Sequence, residues 1–323
     1  MVKTRFRTGL LLALGGLMAG YSLLHLPAAT ASNRSAEPPA SVARVEAPPP
    51  ASTPTATTTV PATRVTLSAL DASLQSYLAE QPGAWGFYLI DLTTGQTAGG
   101  GAQEMLPAAS TIKLPLALYI FDEVAQGRAT LDEPIDYLES DWQDGAGYLA
   151  TELSPGDTMT VGQLVEIMIR HSDNVAKNML MRRFDEDGLF AWIQAQGGQV
   201  ELHDDGDGGL IYTNAETLAR MMRLLYTDQA FRNPAMRQQL LTYLQTTVYE
   251  DRAAAGVPDG VKVAHKIGNL PDVVNDIALV WAPHGPFILA VLSDGVTDEV
   301  GNDAISTLTA KSYQFLEQSH QTP

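Results

Sequence analysis

Ser110-Thr111-Ile112-Lys113-Leu114-Pro115-Leu116-Ala117-Leu118-Tyr119-Ile120-Phe121 is the stretch on which the fold turns. Residues 111–126 are rich in Leu, Ile and Ala, carry acids and Gln on the far side and stop at Gly127, the pattern of a mostly buried helix. Ser110 and Lys113 are three apart at its start, so their side chains share a face and can meet. A serine hydroxyl is a weak nucleophile until a base takes its proton. A lysine amine in a desolvated, cationic setting can be lowered enough to be that base. The helix start adds backbone N–H groups and a positive dipole end, where negative charge developing on an attacked carbonyl would be stabilised. A serine three residues before a lysine also recurs by chance, so the flanking chain has to decide.

On the N-terminal side, residues 66–80 repeat Leu67, Leu70, Leu74 and Leu78 at helical spacing, and residues 85–92 form a strand-like run into the turn Thr93-Thr94-Gly95. On the C-terminal side, helical patterns cover 160–171 (opened by a Thr160/Gln163 capping box), 174–184, 189–196 and 213–226 (opened by Thr213/Glu216). Short strand-like runs follow at 261–266, 276–281 and 287–293, with Pro283-His284-Gly285-Pro286 as a hairpin turn, and residues 298–317 close as a helix. Strands at both ends with helices between them predict an α/β (α+β) fold. One antiparallel sheet is built from both termini and flanked by helices, with an inserted all-helical lobe and a cleft between the two.

Two further groups fall at the edges of these elements: Ser172-Asp173-Asn174 between two helices, and Lys266-Ile267-Gly268 at the end of a strand. The three groups in this order and layout resemble the serine penicillin-recognising enzymes, most closely the class A β-lactamase family, over nearly all of residues 66–323. Asn275-Asp276-Ile277 extends the resemblance into the next strand. The resemblance implies a β-lactamase/transpeptidase-like fold in which Ser110 is acylated and Lys113 accepts its proton. By the same carry-over Ser172 relays a proton to the leaving nitrogen, Lys266 supplies positive charge for Ser172 and the substrate carboxylate, and Asn174 hydrogen-bonds the substrate amide. The N–H groups of Ser110 and Asn269 would form the oxyanion hole, and Gly268 would let an extended substrate lie against the strand edge. Asp173 would tie its loop through backbone hydrogen bonds.

This sequence departs from the family twice. Ile267 stands where a hydroxyl residue is usual, which removes a donor to the substrate carboxylate. Residues 184–213 also lack the glutamate-then-asparagine pattern that activates the deacylating water, and look too short for that loop; Glu201, Asp204 and Asp205 are the only acids near its place. The implied activity is β-lactam hydrolysis through an acyl-serine, slow without that glutamate. A D-alanyl-D-alanine peptidase or an esterase of the same superfamily is the alternative, and a non-catalytic cell-wall-binding module is the second. The expected partner is a small-molecule β-lactam or a peptidoglycan stem peptide, and no cofactor or metal is implied.

The 323 residues carry a formal charge of −17 with no cysteine, which excludes disulfide scaffolds, thiolate metal sites and cysteine nucleophiles. Beyond Val65 there are fourteen basic against thirty-five acidic residues, a body that repels nucleic acid and anionic lipid. Lys3, Arg5 and Arg7 precede an apolar run over 9–26 and then Ala29-Thr30-Ala31, so residues 1–31 read as a signal peptide or N-terminal anchor. Residues 32–65, rich in Pro, Ala and Thr, read as a disordered linker, and 66–323 as the hydrolase domain. The expected location is exported, periplasmic or extracellular, with membrane anchoring through the N-terminal segment only.

Other features take plain structural readings. His171 and His265, beside Ser172 and Lys266, lack the Gly-x-Ser-x-Gly elbow of a Ser/His/Asp hydrolase. Residues 204–208 have a calcium-loop look, but Leu210 stands where that loop needs glycine, and a solvated acidic loop is the reading. Met168, Met179, Met181, Met221 and Met222 fall at helix core positions, and Trp142 and Tyr148 lie in a loop that by analogy faces the cleft.

Overall fold

The computed structural model describes residues 66–203, 209–227 and 233–321. The signal or anchor segment, the linker and the acidic loop 204–208 lie outside them. In chain order the elements are α1 (Ser68–Leu78), β1 (Ala84–Asp91), β2 (Thr97–Gly100), β3 (Leu106–Pro107), a short 3-10 helix (Ala109–Ile112), α2 (Lys113–Ala125), β4 (Pro134–Asp136), α3 (Leu149–Glu152), β5 (Thr158–Thr160), α4 (Val161–Arg170), α5 (Asn174–Phe184), α6 (Glu186–Ala195), β6 (Val200–His203), β7 (Leu210–Thr213), α7 (Ala215–Tyr226), α8 (Pro234–Gln245), β8 (Lys262–Leu270), β9 (Val273–Trp281), β10 (Phe287–Asp294) and α9 (Asp298–Gln321).

The main sheet is antiparallel, in the order β2-β1-β10-β9-β8, so the first strands pair with the last through β1 and β10. It is built from both ends of the domain, as the sequence predicts. Its two faces follow the period of two along each strand. Ile277, Leu279, Ile288, Ala290 and Leu292 face the helical lobe and pack with Leu114, Leu116, Met168 and Met179. Val274, Ala278, Val280, Phe287, Leu289 and Val291 face the other way, against Leu70, Leu74, Ile305 and Leu308 of α1 and α9. At Gly301 a Cβ would lie 2.3 Å from Val274 Cβ, so α9 seats on β9 only through a glycine.

The capping box of α4 is present: Thr160 Oγ1 accepts from Gln163 N at 3.3 Å, and Gln163 Oε1 accepts from Thr160 N at 2.9 Å. The expected Thr213/Glu216 box is not. Thr213 belongs to β7 and donates to Gln199 O at 2.7 Å, while Asn214 caps α7 by accepting from Thr217 N at 2.9 Å. Glu216 instead binds Arg220 and Gln103. Within residues 184–213 the chain forms α6, β6 and β7; β6 pairs antiparallel with β7, and β7 with β3, shortly before Ser110. Among the described residues no helix is long and apolar enough to cross a membrane.

Candidate active site

Ser110 sits in the 3-10 turn that leads into α2, and Lys113 begins that helix. Ala109, directly before Ser110, holds φ 47°, and Ser172 holds φ 55°. Non-glycine residues pay roughly 1–3 kcal/mol to occupy such a region and do so where the surroundings force it. The force at the first position is visible. Asn275 Nδ2 donates to Pro107 O at 2.8 Å and Ala108 O at 3.3 Å, its Oδ1 accepts from Ser293 N at 2.8 Å, and the turn is thereby pinned to β9.

Lys113 is fully buried, and its Nζ has Ser110 Oγ at 2.9 Å, Asn174 Oδ1 at 2.8 Å, Ser172 O at 2.5 Å and Ser172 Oγ at 3.4 Å. Burial holds its amine well below the ordinary lysine range, with help from the like charges of Lys266 and Lys177 and against the pull of Asp173. A neutral amine has two hydrogens and one lone pair. With the carbonyl-type oxygens of Ser172 and Asn174 taking its two hydrogens, a neutral Lys113 would have its lone pair free for the Ser110 hydroxyl proton.

Ser172 Oγ lies between two amines, since Lys266 Nζ also donates to it at 2.9 Å, and to Ile267 O at 2.8 Å. Burial lowers Lys266 to about 7, against the pull of Asp276 and with Arg252 adding to the lowering. Asp173 ties the loop, as expected: Oδ2 accepts from Tyr148 N at 2.7 Å and Leu149 N at 2.9 Å, and Oδ1 caps α5 at Ala176 N. A Cβ on Gly147 would come within 2.1 Å of that carboxylate, so only glycine fits. Asn174 Nδ2 donates to Asp144 O at 3.0 Å and thereby carries the same loop on the other side of the cleft.

β8 is the edge strand beside the cleft. Arg252 Nη1 donates to Gly268 O at 3.1 Å and Asn275 O at 2.7 Å, and these two residues are register partners across β8 and β9. The Gly268 carbonyl is therefore turned toward β9. No peptide bond is cis, so the Asn269 N–H of the same peptide points the opposite way, out of the unpaired edge. That is the side on which Asn269 lines the cleft with Ser110. The Ser110 N–H, at the start of a helix, is one of those a helix leaves without an internal partner. A Cβ on Gly268 would lie 3.0 Å from Ala108 O and 3.1 Å from Ala109 Cβ, so the bare backbone admits the serine-bearing turn.

The cleft has a volume of about 480 Å³. Besides Ser110, Lys113, Asn174 and Asn269 it is lined by Lys177, Asp144, Gly145 and Leu210. Asp144 is the one carboxylate among its described lining residues. Glu201 is exposed on β6 and pairs with His203, and Asp204 and Asp205 lie outside the described residues. Trp142 and Tyr148 are exposed but do not line the cleft; Tyr148 lies edge-on to His171 with ring centroids 5.1 Å apart. His265 turns away from the cleft to meet Asp276 at 3.0 Å, both buried. The sequence reading missed Arg252, which sits in an irregular segment without any periodic signal, and Lys177, which helical spacing from Asn174 could have flagged.

A serine whose proton has a buried amine to go to, beside a second serine–lysine pair and an outward edge N–H, on this two-layered fold, defines a serine hydrolase of the penicillin-recognising class. Residues 69–316 match the model of the β-lactamase enzyme family, and the chain belongs to that family. It is 28% identical over 245 residues to the carbapenem-hydrolyzing β-lactamase KPC of Klebsiella oxytoca, covering 71% of this chain and 82% of that one. Among solved structures it is similar to PBP-A (TM-score 0.73, 28% identity, 79% of this chain and 98% of that one). A variant of PBP-A solved as an acyl-enzyme complex with penicillin G gives TM-score 0.74 at the same identity. An ancestral class A β-lactamase gives TM-score 0.69 at 29% identity, covering 76% of this chain and 99% of that one.

Proposed function

We propose that the protein is an exported acyl-serine hydrolase that opens β-lactam rings. Ser110 is the nucleophile and Lys113 its base; Ser172 passes the proton to the departing nitrogen, and Lys266 supplies positive charge to Ser172 and to the substrate carboxylate. Asn174 binds the substrate amide, while the Ser110 and Asn269 N–H groups receive the oxyanion, with Gly268 giving the serine-bearing turn room to sit against the strand. The observation that carries this reading is the buried Lys113 amine 2.9 Å from Ser110 Oγ, with Ser172 O and Asn174 Oδ1 also within hydrogen-bond distance of the same nitrogen. The β-lactamase activity in the relatives' names and the penicillin acyl-enzyme of a PBP-A variant support the substrate class. Export, with residues 1–31 as a signal or anchor and 32–65 as a tether, completes the proposal.

Intact-protein mass spectrometry of the full chain mixed with penicillin G, sampled over time, tests it. The expected result is an increase of one drug mass that is absent from Ser110→Ala. Labelling that survives in that variant would overturn the assignment.

A second reading has its own observation: the cleft offers Asp144 as its single described carboxylate, so the acyl-serine is expected to be slow to hydrolyse. A long-lived adduct is the behaviour of a D-alanyl peptidase inhibited by penicillin. Release of D-alanine from a short D-alanyl-D-alanine peptide distinguishes this reading from a β-lactamase. Cleavage of p-nitrophenyl esters would identify an esterase, and a module that only binds cell wall would do neither.

A further inference from the structure

Lys177 lies on α5 one turn beyond Asn174 and lines the same cleft as Ser110 and Lys113. The mechanism above gives it no task. Its neighbours along α5 are engaged: Asn178 binds Asp141 O and Gln143 Oε1, and Asn174 binds Lys113 and Asp144 O. Lys177 is half-buried; its backbone N–H donates to Asp173 O at 3.3 Å, but its amine has neither a hydrogen bond nor an ion pair to any described residue. An amine carried into a cleft without a partner loses hydration and gains nothing in return, so structure alone does not account for it.

The charged groups that face it are few. Lys113 comes from α2 across the cleft as a like charge, Glu186 from α6 pulls toward the charged form, and Asp144 comes from the loop that Asn174 carries. Burial outweighs Glu186, and the Lys177 amine is held below the ordinary lysine range. The acyl-serine, on which this inference rests, needs a base to activate water. The family the sequence resembles would supply a glutamate for this, and residues 184–213 carry no such pattern; there β6 pairs with β7.

We propose that Lys177 is the base that activates the deacylating water. The neutral amine takes a proton from water as the water oxygen bonds to the acyl carbonyl carbon. The Lys177 ammonium passes its proton through solvent to the neutral Lys113 amine. The tetrahedral adduct then collapses, the carbon–Oγ bond breaks, and Lys113 delivers that proton to Ser110 Oγ. One water is consumed, the product leaves as a carboxylic acid, and both amines end as they began.

The test is intact-protein mass spectrometry of the full chain, Lys177→Met and Lys177→Arg with penicillin G between about pH 6 and 10, with a thermal melt of each. All three are expected to acquire the adduct. Its decay is expected to slow about a hundredfold in both variants, since arginine keeps the charge but cannot become neutral. The parent's decay should quicken as pH rises through the lowered amine and then level off, a profile that both variants lose. Decay unchanged in Lys177→Met, or restored by Lys177→Arg, overturns the base role. A parent adduct that does not decay overturns it too, while leaving the acyl-serine reading intact. A parent that never labels overturns the acyl-serine reading itself.

Discussion

In the proposed mechanism, two lysine amines around Ser172 Oγ have opposite duties. Lys113 must be neutral to take the Ser110 proton, and burial beside two cations lowers it. Lys266 must be charged to hold the Ser172 hydroxyl and a substrate carboxylate, yet burial lowers it to about 7. Acylation by penicillin is therefore expected to be bell-shaped in pH: rising as Lys113 deprotonates and falling as Lys266 loses its charge above about pH 7. Arginine at 266 keeps its charge throughout, so in Lys266→Arg the alkaline limb should move up and out of range. Stopped-flow acylation rates across pH would show either result. Lys113→Arg, unable to be neutral, should lose about a hundredfold or more in the same rate. Ser110 and Lys113 were legible in the sequence because a spacing of three on a helix is local information. Arg252 was not, because its acceptors at Gly268 and Asn275 lie 16 and 23 residues away across two strands.

At the level of the element, the 3-10 turn carrying Ser110 and the end of β8 approach so closely that a Gly268 methyl group would lie 3.0 Å from Ala108 O and 3.1 Å from Ala109 Cβ, and the turn would have to give. Gly268→Ala should cost about 1–3 kcal/mol in denaturant unfolding and displace the turn, so that labelling slows far more than the stability loss alone explains. Arg252→Met should leave Gly268 O without its side-chain donor and the Asn269 side chain without its Arg252 contact. Asn269 would keep the 2.9 Å bond from its Nδ2 to Asp298. The expected signature is a fall in acylation rate, measured against unchanged labelling stoichiometry. Elements whose signals are local were readable: α4 announces itself with Thr160 and Gln163, and β9 and β10 with the apolar runs 277–281 and 287–292, nearly all of them buried. β6 was not. In Val200-Glu201-Leu202-His203 only Val200 is buried, so the run lacks the apolar face that marks a strand. The cap of α7 was misplaced by one residue because Thr213 and Asn214 are both good caps, and strand pairing claims the first.

Across the whole molecule, charge is buried where function needs it and balanced behind it. His265 and Asp276 meet 3.0 Å apart on the far side of β8 from the cleft. Burial opposes the His265 charge, but Asp276 outweighs it and raises the imidazole; Asp276 is likewise lowered against burial by His265 and Arg252. A histidine raised in the folded state contributes stability that is complete below its unfolded value, about 6.5, and fades as pH climbs through the raised one. Asp276→Asn is therefore expected to cost about 3–5 kcal/mol near pH 6, less at alkaline pH, in urea unfolding followed by circular dichroism. A pH-independent cost would mean that packing, not charge, is lost.

The bonds that complete the site join distant parts of the chain: Lys113 reaches Ser172 across 59 residues, and Lys266 reaches the same serine across 94. Closing loops of that length is slow relative to helix formation. A refolding chain should thus regain most of its helical signal before it can be labelled at Ser110, and the lag between the two would time the docking of β8 onto the helices.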